Sequence, residues 1–575
     1  MTDERTATRS AFLILGLILT HSLSYAWPMA DEEVFAPMRA EMERSLKMRK
    51  DGFEPPYFLA YRLTDIRAME LSASFGALTD DDVQESRVLY VEARAGTRTL
   101  DNTDLGFQGW HMEAGKTSDS LRAQLWSLTD KAYKSALSGY LEKKAKRATE
   151  LVVEELDDFS VEVSTIFFQP MPAPDVEAEK AGLAGLLSRV SAVFRDHPFV
   201  YESRATARRR WSRRYLLTSE GTRLAAEGMH VPGVLRVSAM TRASDGMRLD
   251  EMVSFTFRDR ADIPPEEALL AAARRLAGQL DEARASPVQP PAAAPVILDP
   301  EVTSVLFHEA LGHKLEGQRQ RDPAHSQVFK DLVGKRILPE HLSFVDDPTL
   351  ARFQGAPLSG HYLFDEEGVP AQRVVLVDHG VLRNFLMSRW PVKGFPKSNG
   401  HGRADPFRHP TGRMANIIVL AHRPVGIAAL ELRLREICRA KGKPYGFLLV
   451  GSFGGENPNL RRSAQTFEVN PRRVFRVDAL SGAKTRVRGV KMAGTPLVLL
   501  DRIVAAGDDA RLANEFVCGA ESGHVPVGQI APSVLISEAE LQRIPEDRSV
   551  LPLLPSPFLG ERGWKKEDGE KRDGR

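Results

Sequence analysis

The chain has 575 residues, of which 42% are hydrophobic and 27% are charged, close to the proportions of ordinary globular proteins. This composition excludes a wholly disordered chain, a collagen and a membrane-embedded helix bundle, and the length predicts two globular domains with tails. The formal net charge of +1 provides no overall field that would attract nucleic acid, so we expect no nucleic-acid partner. The arginines at 208–214 could form a local basic strip around Trp211, but a solvent-facing strand is the simpler interpretation.

Residues 1–26 have the pattern of a secretory signal peptide. Arg5 and Arg9 give it a positive start, residues 11–19 form an apolar run, and residues 24–26 end in the small residue that a signal peptidase accepts. We therefore expect an exported protein, located in the periplasm or outside the cell. Since no later stretch approaches the roughly 20 apolar residues that a bilayer requires, we expect no integral membrane span after cleavage. An uncleaved N-terminal anchor is the alternative.

Residues 27–285 are expected to form an N-terminal α+β domain, because stretches with a period of two alternate with stretches with a period of 3.6. Proline at position 264 suits a first helical turn and marks the start of one helix. The predicted helices span residues 120–149 and 264–283, and the predicted strands span residues 87–92, 159–168, 214–217, 235–239 and 252–257.

Residues 286–295 are rich in proline and alanine and are predicted to form a linker between the domains, because prolines at this spacing cannot continue a helix. Residues 296–545 are predicted to form a β-rich domain, and residues 546–575 a largely disordered C-terminal tail. Strands are expected in this second half at 373–377, 417–420, 447–450 and 496–503.

The segment 306–317 is predicted to be a helix that carries metal ligands. It contains His308, Glu309, His313 and Glu316, and its two histidines are five residues apart. On a regular α-helix this spacing turns the two side chains roughly 140° apart, too far to share one ion. A π-bulge, which adds one residue to a turn, would return them to nearly the same face, and Gly312 would make that distortion easier.

A catalytic zinc ion needs a third protein ligand and one open position. Glu316 is close in sequence and Cys518 is distant, and spacing alone does not choose between them. In an oxidising compartment Cys438 and Cys518 could instead form a disulfide. Cys438 is also consistent with a buried free thiol, because it lies on an amphipathic stretch.

Several blocks of this sequence resemble the TldD/PmbA family of metallopeptidases. The string His-Glu-Ala-Leu-Gly-His at 308–313 looks like the His-Glu-x-x-x-His motif of the catalytic, TldD-like members. The resemblance extends over about 296–535 and includes the blocks at 399–403, 410–416, 486–489, 518–519 and 525–528.

The resemblance implies a zinc-dependent peptidase. His308, His313 and Cys518 would bind the metal, with iron or another divalent ion as an alternative to zinc, and Glu309 would be the catalytic base. Glu316 would then orient a histidine. The implied substrate is a peptide or an unfolded protein in an extended form.

The family also implies an assembly, either a homodimer or a heterodimer with a related subunit. The leader is a departure, because familiar members act inside the cell. The competing interpretation is a non-catalytic binding or scaffold subunit of such a complex, and the intact Glu309 argues against it. A metal-dependent amidase for non-peptide amides would use the same residues.

Overall fold

The computed structural model of the chain describes residues 27–49, 52–103, 109–149, 156–229, 231–321, 327–456, 467–544 and 556–559. The predicted signal peptide at 1–26 and most of the predicted tail at 546–575 lie outside these residues. Among the helices described, none combines the length and the apolar character that a membrane crossing requires.

The N-terminal half contains one eight-stranded sheet. Its strand order is β3-β2-β1-β5-β6-β4, and β7 pairs with the other half of the long strand β5 and then with β8. The strands are β1 (Phe58–Ser74), β2 (Ala77–Arg94), β3 (Trp110–Glu113), β4 (Ile166–Phe168), β5 (Glu202–Thr218), β6 (Arg223–Glu227), β7 (Gly233–Arg242) and β8 (Arg248–Phe257).

Four helices pack against this sheet and form two separate apolar cores with it. They are α1 (Asp31–Ser45), α2 (Ser118–Arg147), α3 (Val176–Ala192) and α4 (Glu266–Ala285). The predicted helices at 120–149 and 264–283 correspond to α2 and α4, and α4 begins after the proline pair because Pro265 is its N-cap. The predicted strand at 159–168 is wrong for most of its length, since only β4 is regular there.

The C-terminal half is rich in strands, as the sequence predicts. Its helices are α5 (Pro300–Phe307), α6 (Ile427–Ala440) and α7 (Pro496–Asp501). Its strands are β9 (Ala292–Leu298), β10 (Leu342–Asp346), β11 (Arg352–Phe353), β12 (Ala356–Pro357), β13 (Val374–Asp378), β14 (Val381–Leu382), β15 (Gly402–Arg403), β16 (Thr411–Gly412), β17 (Asn416–Ala421), β18 (Tyr445–Glu456), β19 (Phe467–Asp478), β20 (Lys484–Val487), β21 (Val490–Gly494), β22 (Ile503–Ala506), β23 (Arg511–Ala520), β24 (Gly523–Ala531) and β25 (Val534–Arg543).

Two large sheets organise this half. One has six strands in the order β14-β13-β10-β17-β24-β23. The other has seven strands, and the pairing of β18 with β19 closes the ring formed by β18, β9, β25, β21 and β19. Helix α5 contacts β18 and β19 of this ring and also β23 and β24 of the six-stranded sheet. The helix therefore lies in the apolar core between the two sheets, where residues 302–307 are all buried.

Two predictions for this half are wrong. Residues 292–295 do not form a linker but the first part of β9, because their backbones pair with β25 and their neighbours 296–298 pair with both β25 and β18. Residues 496–501 are helical and not extended, because Pro496 takes the first helical position, where its missing N–H costs nothing. The strand begins after them, as β22.

Ion pairs join the two halves of the chain. Arg486 contacts Glu251 at 2.7 Å and Arg488 contacts Asp245 at 3.0 Å, so the block at 486–489 connects the end of β20 to β8 and to the turn before it. Arg214 on β5 contacts Glu366 at 3.0 Å. These buried or half-buried pairs fix the N-terminal sheet against the β-rich half.

Candidate metal centre

A π-helical turn places the two histidines of the predicted motif side by side. Asp299 is the N-cap of helix α5, and its carboxylate accepts the Val302 N–H at 2.9 Å. The helix is a regular α-helix up to residue 307. Residues 308–312 then form a π-helix and residues 313–315 a 3₁₀ turn. The extra residue in the turn brings the ring centroids of His308 and His313 to 5.0 Å, and the predicted π-bulge is confirmed.

Gly312 is required in this turn for packing. Its φ of −53° is ordinary for any residue. A Cβ at this position, however, would lie 2.1 Å from Sδ of Met414. The absence of a side chain at residue 312 leaves the space beside the π-turn that the Met414 side chain occupies.

Cys518 on β23 completes a group of three donors. Its Sγ lies 3.4 Å from Nε2 of His313, and the donor atoms of His308, His313 and Cys518 all lie within 4.8 Å of one another. All three side chains are buried. In a tetrahedral zinc site with bonds of roughly 2.0 to 2.3 Å, a sulfur and a nitrogen are about 3.6 Å apart. The two imidazoles and the thiol are therefore close enough together to bind one metal ion of the kind that accepts sulfur ligands.

The alternative of a disulfide is wrong, since both cysteines are free thiols. Cys438 lies on α6 in a small apolar core that also contains Leu430 and Leu434, where it is fully buried. It is thus the buried unpaired thiol that the amphipathic stretch predicts.

Glu316 supports His313 from the side away from Cys518. One carboxylate oxygen lies 3.0 Å from Nδ1 of His313 and the other accepts a hydrogen bond from Arg319 at 2.6 Å. Arg413 lies 3.3 Å from the first oxygen. Burial alone would raise the pKa of Glu316, but Arg319, His313 and Arg413 outweigh it and lower this pKa to about 2. An ionised carboxylate at Nδ1 fixes the ring so that Nε2 faces Cys518.

Arg413 contacts the cysteine itself. It donates hydrogen bonds to the Cys518 carbonyl oxygen at 2.7 Å and to Sγ at 3.1 Å. Burial would raise the pKa of the Cys518 thiol, but His313, Arg413 and His308 lower it well below its ordinary value. The surroundings thus favour the thiolate, which is the form that binds a metal.

A second layer of polar groups surrounds these residues. Arg319 and Gln318 donate to the two oxygens of Glu521 at 2.9 and 2.8 Å. On the other side, the side-chain amide of Gln529 lies 3.1 Å from Nδ1 of His308. Both histidines therefore have Nδ1 engaged by a polar side chain, which leaves each Nε2 for the shared donor group.

Glu309 differs from Glu316 in its surroundings. It lies in the π-turn directly after His308 and is only partly buried. Within the described part of the chain its carboxylate makes no hydrogen bond and no ion pair, whereas Glu316 is held by three partners. A carboxylate beside a metal site and without a structural partner is available for proton transfer.

Sequence reasoning missed Arg319, Arg413, Glu521 and Gln529. Arg413 lies within the block at 410–416, but nothing in that block shows that its side chain reaches a cysteine 105 positions away. Gln529 directly follows the block at 525–528, and Arg319 follows Glu316 by three residues. Only the pairing of strands β23 and β24 next to α5 shows that these residues share one site.

Comparison with known proteins agrees with this geometry. Residues 291–543 match the family model described as the PmbA/TldA metallopeptidase C-terminal domain. This part of the chain is therefore similar to the C-terminal domain of the PmbA/TldD metallopeptidases.

Two relatives are each similar over less than half of this chain. A metalloprotease from Methanothermobacter thermautotrophicus is 32% identical over 247 residues, which are 42% of this chain and 49% of the relative. A zinc metalloprotease TldD homolog from Saccharolobus solfataricus is 27% identical over 249 residues, 43% of this chain and 51% of the relative. The chain thus spans about half the length of the curated relatives it matches.

The fold similarity extends further. The crystal structure of TldE from Thermococcus kodakarensis superposes with a TM-score of 0.61 at 14% identity, and covers 88% of this chain and all of TldE. The chain therefore has a TldE-like fold, which agrees with the α+β architecture that the alternating periods predict.

Proposed function

We propose that this protein is an exported, zinc-dependent peptidase that hydrolyses peptide bonds in extended or unstructured peptides. The observation that carries the proposal is the convergence of three buried donor atoms within 4.8 Å, next to a carboxylate, Glu309, that has no structural partner among the described residues. The name of the Saccharolobus relative supports zinc as the ion. The leader at 1–26 supports export, and the family supports a homodimer or a heterodimer with a related subunit.

The donor set suits this chemistry. His308 and His313 would bind zinc through imidazole nitrogens and Cys518 through its thiolate, with one position left for water or substrate. A zinc ion held there would polarise the substrate carbonyl and make water more acidic. The soft sulfur ligand favours zinc over the hard cations magnesium and calcium.

Glu309 performs the proton transfers. Its carboxylate accepts one proton from water as the water oxygen bonds to the carbonyl carbon of the substrate. The same group then gives this proton to the amide nitrogen as the carbon–nitrogen bond breaks, so that a carboxylate and an amine leave. Glu316 and Gln529 keep the imidazoles oriented, and Arg413 keeps Cys518 in the thiolate form.

The substrate can lie along strand β23. This strand carries Cys518 and is the last strand of its sheet, pairing only with β24 among the described strands. A free strand edge can bind an extended peptide through backbone hydrogen bonds. Such binding explains why an unstructured peptide would be preferred to a folded protein.

Two substitutions separate binding of the metal from catalysis. We expect His308→Ala to lose zinc, because it removes a ligand. We expect Glu309→Gln to keep zinc and its thermal midpoint but to lose at least about 10²-fold in turnover, because the amide cannot accept a proton. Bound zinc is measured by elemental analysis, and hydrolysis by mass spectrometry of an unstructured peptide library.

His524→Ala is the matched control, since His524 is an exposed histidine on β24 outside the donor group. It should leave both zinc and turnover unchanged. Undiminished hydrolysis by the Glu309→Gln protein would rule out the mechanism. Absence of zinc from Glu309→Gln alone would show that Glu309 is a ligand.

A further inference from the structure

Two residues of the segment 302–320 reach an open surface. Glu309 and Lys314 are partly exposed, whereas every other residue of this segment is buried, and each of the two directly follows a histidine of the donor group. The His313 N–H bonds to the His308 carbonyl oxygen, so residues five apart in this π-turn lie on the same face. Glu309 and Lys314 are five apart as well, and they therefore share one opening beside the donor group.

The ammonium group of Lys314 has no partner in the part of the chain that the structure describes. Its Nζ atom is buried without a hydrogen-bond acceptor, and it forms no ion pair, even with Glu309. Burial lowers the pKa of Lys314 below its ordinary value of 10.5, and no neighbouring charge contributes to this shift. Because a cation that is removed from water without an anion is unfavourable, this position is suited to an anionic ligand.

The buried carboxylates of the metal centre already have other partners. Glu316 contacts His313 at 3.0 Å and accepts a hydrogen bond from Arg319 at 2.6 Å. Glu521 accepts a hydrogen bond from Arg319 at 2.9 Å. Lys314 is therefore outside the network that orients the ligands, and a change of its side chain should leave the donor group in place.

The backbone of Lys314 is fixed, whereas its side chain can move. The side-chain amide of Gln320 donates a hydrogen bond to the Lys314 carbonyl oxygen at 2.7 Å. The flexible four-carbon stem of a lysine carries a compact charge with rotatable donors. The ammonium group can therefore turn toward a peptide at the opening without a change in the backbone that holds the histidines.

The position of Lys314 limits which part of a peptide it can contact. Lys314 is the residue after His313, and consecutive Cα atoms are about 3.8 Å apart. In an extended peptide one residue covers about 3.3 Å. An anion that Lys314 binds therefore belongs to a residue within about two positions of the cleaved bond.

We propose that Lys314 makes this peptidase select peptides that carry an acidic side chain, aspartate or glutamate, within about two residues of the cleaved bond. The carboxylate accepts a charge-assisted hydrogen bond from the ammonium group, and Nζ thereby gains the acceptor that it lacks among the described residues. Lys314 is then a specificity-determining residue, and Glu309 beside it remains the base. This inference rests on the proposed peptidase function and specifies the chemical class of its substrate.

Binding tests the specificity without turnover. The Glu309→Gln protein, loaded with zinc, is titrated into fluorescent peptides of alanine, serine and glycine that carry either one glutamate or one glutamine at the centre. Both ends of each peptide are blocked, so that a terminal carboxylate does not contribute. We expect the glutamate peptide to bind about tenfold tighter, the usual scale of a charge-assisted hydrogen bond. Adding Lys314→Gln should abolish this preference, and adding Lys314→Arg should keep it.

Lys335→Gln is the matched control, because Lys335 is an exposed lysine outside the segment 302–320. It should leave the preference intact. Thermal midpoints and bound zinc identify a variant that fails to fold, and Lys314→Met then replaces Lys314→Gln. Equal binding of the two peptides, a preference that survives loss of the lysine, or a loss of zinc from the folded Lys314→Gln protein would overturn the proposal.

Cleavage by the wild-type protein separates this inference from the proposed function. When the single glutamate is moved along the peptide, the cleaved bond should move with it by the same number of residues. Cleavage at positions unrelated to the glutamate would overturn the specificity and leave the peptidase function standing. A preference for glutamate in binding without any hydrolysis would do the reverse.

Discussion

The β-rich half contains two buried polar clusters that differ in how their charges are arranged. The first is the metal centre, formed by the three donors with Glu316, Arg319 and Arg413. The second is the acidic turn, residues 365–367, which lies where the N-terminal sheet meets this half. In the metal centre each buried carboxylate or thiol faces an arginine. In the acidic turn, Asp365 and Glu367 face each other.

The protonation of the two clusters follows from this difference. In the metal centre, positive neighbours outweigh burial, and the pKa values of Glu316 and Cys518 fall. In the acidic turn, burial and then Glu366 raise the pKa of Asp365 to about 7, against the hydrogen bonds that its backbone partners donate. Burial and then Asp365 raise the pKa of Glu367. Burial raises the pKa in both clusters, and the charge of the neighbouring groups decides whether that effect prevails.

Substitution of Arg413 is expected to cause the largest loss of stability at the metal centre. Arg413→Met would remove the arginine that contacts both the buried Cys518 thiolate and one oxygen of Glu316. We expect a loss of about 3 to 5 kcal/mol in the free energy of unfolding, the usual cost of deleting one partner of a buried ion pair. Urea denaturation of the zinc-free protein measures it.

Arg403 offers a matched comparison for that substitution. It is also buried, but it donates to the carbonyl oxygens of Met414 and Pro526 instead of to an anion. Arg403→Met should therefore cost less than Arg413→Met, because no buried charge loses its partner. Equal losses would show that charge compensation does not distinguish Arg413.

Gly312→Ala perturbs the metal centre through packing alone. The new methyl group would meet Sδ of Met414 at 2.1 Å, so we expect a loss of about 1 to 3 kcal/mol together with weaker zinc binding. Gly278→Ala on α4 is the control, because its added Cβ has no atom within 4 Å. That control should gain about 0.5 to 1 kcal/mol, as alanine stabilises a helix. If both alanine substitutions stabilise the protein, the packing around Gly312 has room for a methyl group.

Sequence patterns predicted the parts of the fold that depend on local periodicity. The helices α2 and α4 follow from their amphipathic repeats, and the π-turn follows from the impossibility of two ligands 140° apart on a regular helix. The strand at 292–295 was missed because proline and alanine are typical of linkers, and only its pairing with a strand more than 200 residues away makes it part of a sheet. Long-range pairing of this kind leaves no local pattern.

For the candidate site, too, the residues that are close in sequence could be predicted and those that are distant in sequence could not. The two histidines and Glu309 are close in sequence, whereas spacing left Cys518 and Glu316 as equal candidates, and the family resemblance chose between them. The structure brings Cys518 to His313 at 3.4 Å and turns Glu316 to the opposite nitrogen of that ring. Arg413 and Gln529 could not be assigned at all, because their roles depend on contacts across separate strands.

The acidic turn predicts a pH dependence that the metal centre does not share. Because the folded pKa of Asp365 is about 7 and its ordinary value is 3.8, the folded protein retains a proton that the unfolded chain releases between these values. The free energy of unfolding should therefore fall as the pH rises from about 4 to about 7. Arg389 opposes the raised pKa of Glu367 but does not overcome burial and Asp365.

Glu367→Gln is the substitution for which we expect the smallest effect on stability. Glutamine resembles the protonated acid, and its oxygen can still accept the Arg389 N–H that Glu367 accepts at 2.7 Å. Without Glu367, the turn no longer contains a carboxyl group that stays protonated in the folded protein while it ionises in the unfolded chain. We expect equal stability at pH 4 and a gain of about 1 to 2 kcal/mol for the variant at pH 8, since one pKa unit corresponds to roughly 1.4 kcal/mol. Urea denaturation at both pH values measures this difference. A constant offset between the two proteins would show that the pKa of Glu367 is the same in the folded and the unfolded protein.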